Sequence, residues 1–169
     1  PFGQLMTDSL CAHIGVCPTV VLGNDANLGA VAEFVRGAAT ATSSVVYLSG
    51  DVGVGGGVVL GGKVLAGGSG FAGELGHMVV NPTGEPCNCG SRGCWETEVG
   101  RDAIFSAVGF LPGQGSFSYL VAESLTELTD IKRALSGVGE WVGVGLVNLM
   151  NSIDPNYIVL GGHLAEIYP

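Results

Sequence analysis

The chain has 169 residues, 47% of them hydrophobic and 12% charged, with mean hydropathy +0.47, so it can bury a sizeable core and is not a disordered tail. Fifteen acidic against six basic residues give a net charge of −9, which repels phosphate backbones and anionic membrane surfaces and argues against DNA binding by this chain alone. No basic segment precedes an apolar stretch and a cleavage site, and no apolar run is of bilayer-spanning length, so a soluble, cytoplasmic protein with no membrane partner is expected.

In chain order, residues 4–15 place Leu5, Leu10 and Ile14 near helical spacing, and Pro18 closes that helix before an apolar, strand-like PTVVLG. Asn24-Asp25 then stands at a strand-to-helix junction. The helix that follows carries a stripe of Leu28, Val31, Ala32 and Val35 and stops at Gly37. SSVVYLSG and GGGVVLGGKVLAG read as strands joined by a glycine-rich turn, with a hairpin at Gly61-Gly62. A short strand HMVVN leads into a cysteine-rich loop. Beyond Glu96 the texture is helical: RDAIFSAVGF, SYLVAESLTEL, and a long stretch from about 130 to 150, with a loop over 111–116. The strand NYIVLGG and a helix starting at HLAEIYP close the chain, an abrupt end for an α/β pattern and one that reads as a fragment of a longer fold.

His77, Cys87, Cys89 and Cys94 carry the strongest chemical statement. Three soft thiolates and an imidazole at this spacing make a complete tetrahedral zinc shell, and the glycines of C-x-C-G-x-x-G-C let the backbone curl around an ion. The alternative is a disulfide or two buried thiols, against which stands the rarity of bridges between cysteines one residue apart. Four protein ligands leave no open position for a metal-activated water, so such a zinc is structural. Free thiolates suit a reducing compartment. Cys11 and Cys17 read as small buried hydrophobes, and His13 and His163 as structural or exposed.

Glu74 and Glu96 flank the metal ligands, so folding the loop brings both carboxylates to one spot. Carboxylates accept hydrogen bonds from vicinal hydroxyls, and a metal-bound imidazole keeps one ring nitrogen for a ligand, a set suited to a sugar. For Glu96 a solvated helix face is the equal alternative; for Glu98 it is the preferred reading. Asn24 and Asp25 occupy the place where open α/β sheets bind ligands, yet the same residue types cap helices, and on this dipeptide alone the cap is the preferred reading. Gly53, Gly55 and Gly56 could cradle a phosphate, but the run from Gly50 to Gly57 holds an Asp and no Lys, Ser or Thr, which favours a tight hairpin.

Taken in order, GNDANLGAVAE, VGVGGGVVLGGKVLAGGSGFAGELGHM, CNCGSRGCWE and DPNYIVLGG resemble the ROK family of repressors, open-reading-frame proteins and sugar kinases, over roughly residues 19–165. The resemblance implies an α/β, actin-like (ribonuclease-H-like) ATPase fold of two lobes with a sugar in the cleft. Residues 1–25 would then end an N-terminal lobe and hinge, and 26–169 would form the C-terminal lobe with its zinc loop at 77–96. It also implies that Asn24, Asp25, Glu74, His77 and Glu96 line the sugar site and that His77, Cys87, Cys89 and Cys94 bind zinc.

Two departures separate this chain from the family's kinases. No Asp-x-Gly-x-Thr phosphate loop occurs before residue 19, and where kinases read Gly-Thr-Gly-x-Gly this chain reads Asp51-Val52-Gly53-Val54-Gly55. An isopropyl group replaces a hydroxyl, and a carboxylate is placed beside phosphate charge. The resemblance is therefore closer to NagC/XylR-type sugar-responsive transcriptional regulators, whose DNA-binding winged helix would lie outside this chain. The alternative is a hexose kinase in which Asp25 accepts the proton of the sugar hydroxyl as it attacks Mg-ATP. The implied partners are a sugar or sugar phosphate and a second copy of the chain, as a homodimer or homotetramer.

Overall fold

Four strands form one mixed sheet because the apolar runs are short, β-branched and separated by glycine turns. In the computed structural model, which describes residues 2–110, 116, 117, 120 and 129–167, the strands are β1 (Ser44–Gly50), β2 (Val54–Leu60), β3 (Lys63–Val64) and β4 (Tyr157–Gly162). Their order is β3-β2-β1-β4. β1 runs antiparallel to β2, pairing Val46 with Val58, and parallel to β4, pairing Val46 with Ile158. The β2–β3 hairpin turns at Gly61 and Gly62, whose φ angles of +56° and +76° are the left-handed values that a two-residue turn demands.

β1 is buried on both faces, which is why its sequence reads as a nearly continuous apolar run. On one face, Val45 and Val59 pack with Ala30, Ala39 and Phe34 beneath helix α2 (Asp25–Arg36). On the other, Val46, Leu48 and Val58 pack with Trp95, Ile104, Phe105 and Leu149 from α3 (Trp95–Val99), α4 (Arg101–Ala107) and the long α5 (Thr129–Ile153). Trp95 is fully buried and its indole N–H donates to the Trp141 carbonyl at 2.9 Å. The indole reaches α5 only because Gly145 lacks a side chain; a Cβ there would overlap the ring. The short α6 (His163–Ile167) follows β4 directly.

Several expectations are corrected. Residues 18–23 form no strand: they pair with none of the four strands among the described residues, and Val21 and Leu22 stand exposed. Residues 77–81 form no strand either: a 3-10 turn (Leu75–His77) comes first, and only a single bridge, Val79 to Cys94, follows. The helix expected over 101–110 stops at Ala107. Helix α1 (Phe2–Ile14) forms where expected but buries no residue. Cys11 and Cys17, expected as buried thiols, are instead joined by a disulfide with 4.5 Å between their Cα atoms, since α1 provides no core to bury them. The expected helix 118–128 and most of the loop 111–116 lie outside the described residues.

His163 is also resolved, as a core residue. It is 4% exposed, its ring stacks on Phe117 at 4.6 Å, and its Nε2 lies 3.3 Å from the Val99 carbonyl. Burial holds its pKa below the ordinary value, against the smaller raising effects of the Val99 carbonyl, Asp51 and Glu166. The unfolded chain then binds a proton on this residue that the folded chain resists, so its contribution to stability is complete above about pH 6.5 and is lost as the pH falls below that value. Comparing His163→Gln with the parent by urea unfolding between pH 5 and 7.5 should show a shallower pH dependence in the variant. The difference is expected to be at most about 1.4 kcal/mol per pH unit, and parallel curves would refute the assignment.

Candidate functional site: a metal-ligand tetrad joined to a carboxylate cluster

The cysteine loop is a small hairpin. Pro86 bridges Arg92, the Cys87 amide donates to the Ser91 carbonyl at 2.9 Å, and the Arg92 guanidinium donates to the Gly84 carbonyl at 2.7 Å. Its two ends are tied to the chain on either side by Val80 N–H to Gly93 C=O at 2.9 Å and Trp95 N–H to Met78 C=O at 2.8 Å. This folding brings the ligand atoms of His77, Cys87, Cys89 and Cys94 within 4.8 Å of one another. Cys89 and Cys94 Sγ are 3.5 Å apart, and Cys87 Sγ is 3.6 Å from His77 Nδ1. A tetrahedral zinc with metal–sulfur bonds of about 2.3 Å needs sulfur–sulfur edges of about 3.8 Å. The tetrad therefore fits a metal ion, and the three cysteines are unpaired by disulfides.

The thiols are set apart by their surroundings. The Cys89 backbone N–H pulls the Cys87 pKa down, but the Glu96 carboxylate, burial and the neighbouring thiols outweigh it and push it up to about 12. The Ser91 backbone N–H lowers Cys89, with help from the other two sulfurs, and burial raises Cys94.

Glu96 links the tetrad to the rest of the site. Its Oε1 lies 3.3 Å from His77 Nδ1 and accepts from the Cys87 thiol at 3.0 Å, while its Oε2 faces Gly53, where a Cβ would stand 2.6 Å from it. Glu74 precedes the 3-10 turn, whose buried Leu75 and Gly76 pack on β2 at Gly56 and Val54. Across the same strand, the first turn of α2 rests on Gly55 and Gly57 through Ala26. The two segments approach at Gly73 and Asn27: a methyl group on Gly73 would lie 3.9 Å from Asn27 Oδ1. The start of β2 is thus flanked by the Asn24–Asp25 end of α2, by Glu74 and His77, and by Glu96.

Asn24 is the N-cap of α2, accepting the Asn27 amide at 3.0 Å, and Asp25 accepts the Ala26 amide at 2.8 Å. Both stay exposed. The capping alternative therefore describes Asn24, whose side chain is nonetheless exposed. Gly55 and Gly56 lie inside β2, paired with Ser49 and Leu48, and answer close packing against α2 and Leu75. Gly53 belongs to the β1–β2 turn, where its carbonyl accepts the Asp51 amide at 3.0 Å. Glu98, read as a solvated face, instead accepts the Asn81 side-chain amide at 3.1 Å and braces the loop.

Two features escaped the sequence reading. Asn27 Oδ1 is buried without a hydrogen-bond partner; its signal was the second Asn of NDAN, one helical turn after the cap. A cavity of about 830 Å³ opens beside Val52 and Gly53, with walls from the metal loop, α3, α4 and α5. Five carboxylic residues line it (Glu85, Glu96, Glu98, Asp102 and Glu140) and, among the described residues, no Lys, Arg or His does. Helices distant in sequence build that wall, so no local motif announces it.

Comparison with known proteins agrees with this architecture. The ROK family model matches residues 6–168, and the chain belongs to the ROK family. It is 36% identical over 152 residues to the xylose repressor of Bacillus spizizenii, covering 89% of this chain and 39% of that protein. It is 40% identical over 177 residues to the glucokinase of Thermotoga maritima, covering 95% and 55%. Among solved structures, a ROK hexokinase from Thermus thermophilus superposes with a TM-score of 0.79 at 35% identity, covering 97% of this chain and 56% of that one. A ROK family transcriptional regulator, a homolog of the Escherichia coli Mlc protein, gives 0.78 at 27%, covering 96% and 43%. The chain thus spans about two-fifths to just over half of the relatives it matches, and both regulators and kinases are among them.

The tetrad generates a direct test. Elemental analysis of the purified protein is expected to find about one zinc per chain, and Cys94→Ser to lose it together with thermal stability. Absence of metal, with Cys87, Cys89 and Cys94 all freely titratable by a thiol reagent, would defeat the assignment.

Proposed function

We propose that this chain is the effector-binding segment of a ROK transcriptional regulator, holding a sugar against Glu74, His77, Glu96, Asn24 and Asp25, with a structural zinc at His77, Cys87, Cys89 and Cys94. The observation that favours a regulator over a kinase is the cavity beside Asp51-Val52-Gly53, which shares only Glu96 with those sugar contacts and is lined by five carboxylic residues with no basic side chain among the described residues. A polyphosphate would meet like charge there, at about 1 kcal/mol per close pair even in water. Val52 offers no hydroxyl, and the Glu96 carboxylate faces Gly53, where a phosphate cradle would need open backbone amides. This turn does not fit a nucleotide triphosphate, whereas the carboxylates suit the hydroxyls of a sugar. The xylose repressors and the Mlc-type regulator among the relatives support the same class.

In this reading the zinc holds the loop, His77 and Glu96 in one arrangement, and the sugar acts by binding one disposition of the lobes more tightly than another. DNA would be contacted through a winged helix outside this chain, in a homodimer or homotetramer, so that lobe movement changes the spacing of two DNA-binding heads. The whole protein would work in the cytoplasm. Among the described residues no helix is long and apolar enough to cross a membrane.

One observation favours a second reading, a hexose kinase. Asp25 stands exposed at the first turn of α2 with its hydrogen bond coming from the adjacent Ala26 amide, so its carboxylate is open to a sugar hydroxyl as a general base would be. Calorimetry on the intact protein with xylose and glucose, each with and without Mg-ATP, separates the two. The regulator reading expects sugar binding, no Mg-ATP binding and no ADP release. In Glu96→Gln, sugar affinity should fall about tenfold to a hundredfold while zinc content is retained. Sugar-dependent ADP release would establish the kinase.

A further inference from the structure

The 830 Å³ cavity is larger than one sugar ring requires, lying near the upper end of about 300–1,000 Å³ for pockets that enclose a drug-sized ligand. It meets the proposed sugar site at Glu96 and then leads away from Asn24, Asp25 and Glu74, none of which lines it. Glu96 has two oxygens with different surroundings: Oε1 is engaged by His77 and Cys87, and Oε2 is directed to Gly53, which lines the cavity. The other walls differ in character. Val52, Val138, Ala103 and Trp141 supply apolar surface, including one aromatic ring, while Asp102, Ser106 and Glu140 supply exposed hydrogen-bonding groups. Apolar patches interleaved with hydroxyl acceptors match a saccharide, whose ring faces are C–H surface and whose edges are hydroxyls.

We propose that this cavity is a second saccharide subsite, so that the effector is a disaccharide or longer glycan. Its first ring is held by Glu74, His77 and Glu96, and its next ring passes Glu96 Oε2 to lie between the Val52–Gly53 turn and the α4–α5 wall. The inference rests on the sugar-binding reading above and names the class of sugar. A neutral glycan is indicated over a nucleotide by the same five carboxylic residues that repel phosphate. Ser106 and Glu140 are exposed positions on α4 and α5, remote in sequence from the metal ligands, and each can be changed without entering the core.

The test is calorimetry on the intact, zinc-loaded protein with glucose against maltose and cellobiose, and xylose against xylobiose. At least one disaccharide is expected to bind about tenfold or more tightly than its own monosaccharide. Ser106→Trp, which fills the cavity, should remove that advantage and leave monosaccharide affinity unchanged; Glu140→Gln should reduce it in part and guards against a folding defect in the tryptophan variant. Monosaccharides binding as tightly as every disaccharide, or a disaccharide advantage that survives Ser106→Trp, would overturn the second subsite while leaving the sugar site standing. Mg-ATP binding that Ser106→Trp abolishes would overturn it by giving the cavity to a nucleotide. Failure of all five sugars would overturn the sugar-binding reading and this inference together.

Discussion

Three consecutive residues, Cys94, Trp95 and Glu96, join the metal tetrad, the hydrophobic core and the candidate ligand site, and the arrangement depends on their being adjacent. Cys94 and Trp95 are both fully buried, the one facing the other sulfurs and the other seated against α5 through the space left at Gly145. Burying an indole of this size, with its N–H satisfied by the Trp141 carbonyl, fixes the start of α3 against the sheet. Glu96 then has little freedom: its carboxylate must emerge between the tetrad and Gly53. A metal ion held by the tetrad would act on the candidate ligand site through geometry, by keeping His77 and the loop against the same carboxylate.

The sheet sets the second constraint. The parallel pairing of β1 with β4 places strands separated by more than a hundred residues side by side, and the antiparallel pairing with β2 turns the chain back at Asp51–Gly53. That turn therefore sits at the carboxyl end of β1, the position where open α/β sheets receive ligands. What occupies such a position is decided by charge as well as by shape. Here Asp51, Val52 and the carboxylate of Glu96 set acidic and apolar groups at the turn, and the cavity beside it carries further carboxylic residues.

Much of the fold was legible residue by residue. The helical spacing before Gly37 marked α2, although the face it buries is Ala26 and Ala30 with Val31 and Phe34, while Leu28, Ala32 and Val35 of the expected stripe stand exposed; Gly61-Gly62 marked the β2–β3 turn, and the apolar run YIVLGG marked β4. Residues 18–23 and 77–81 show where that reasoning stops. Both have strand-like composition, but a strand exists only with a partner edge, and pairing is a property of other parts of the chain. Cys11 and Cys17 misled for a related reason: burial depends on something to be buried against, and among the described residues none packs on α1 closely enough to bury any of its side chains. His163 was legible only as isolated, because its stacking on Phe117 and its approach to Val99 come from contacts over distances in sequence that no motif spans.

The amino-acid sequence by itself determined the chemistry available: a candidate ligand set of one histidine and three cysteines, carboxylates on either side of it, and a turn that carries Val52 and no hydroxyl between Asp51 and Gly53. These are properties of residue type and short spacing, and they survive whatever the rest of the chain does. The tertiary structure decided how those groups meet. It gave the two oxygens of Glu96 different surroundings, made Asn24 the cap of α2, drew Glu98 into the loop's own bracing, and gathered Asp102, Ser106, Glu140 and Trp141 into one cavity. The physical reason is that hydrogen-bond partners and cavity walls are set by packing between segments far apart in sequence, which local pattern cannot encode.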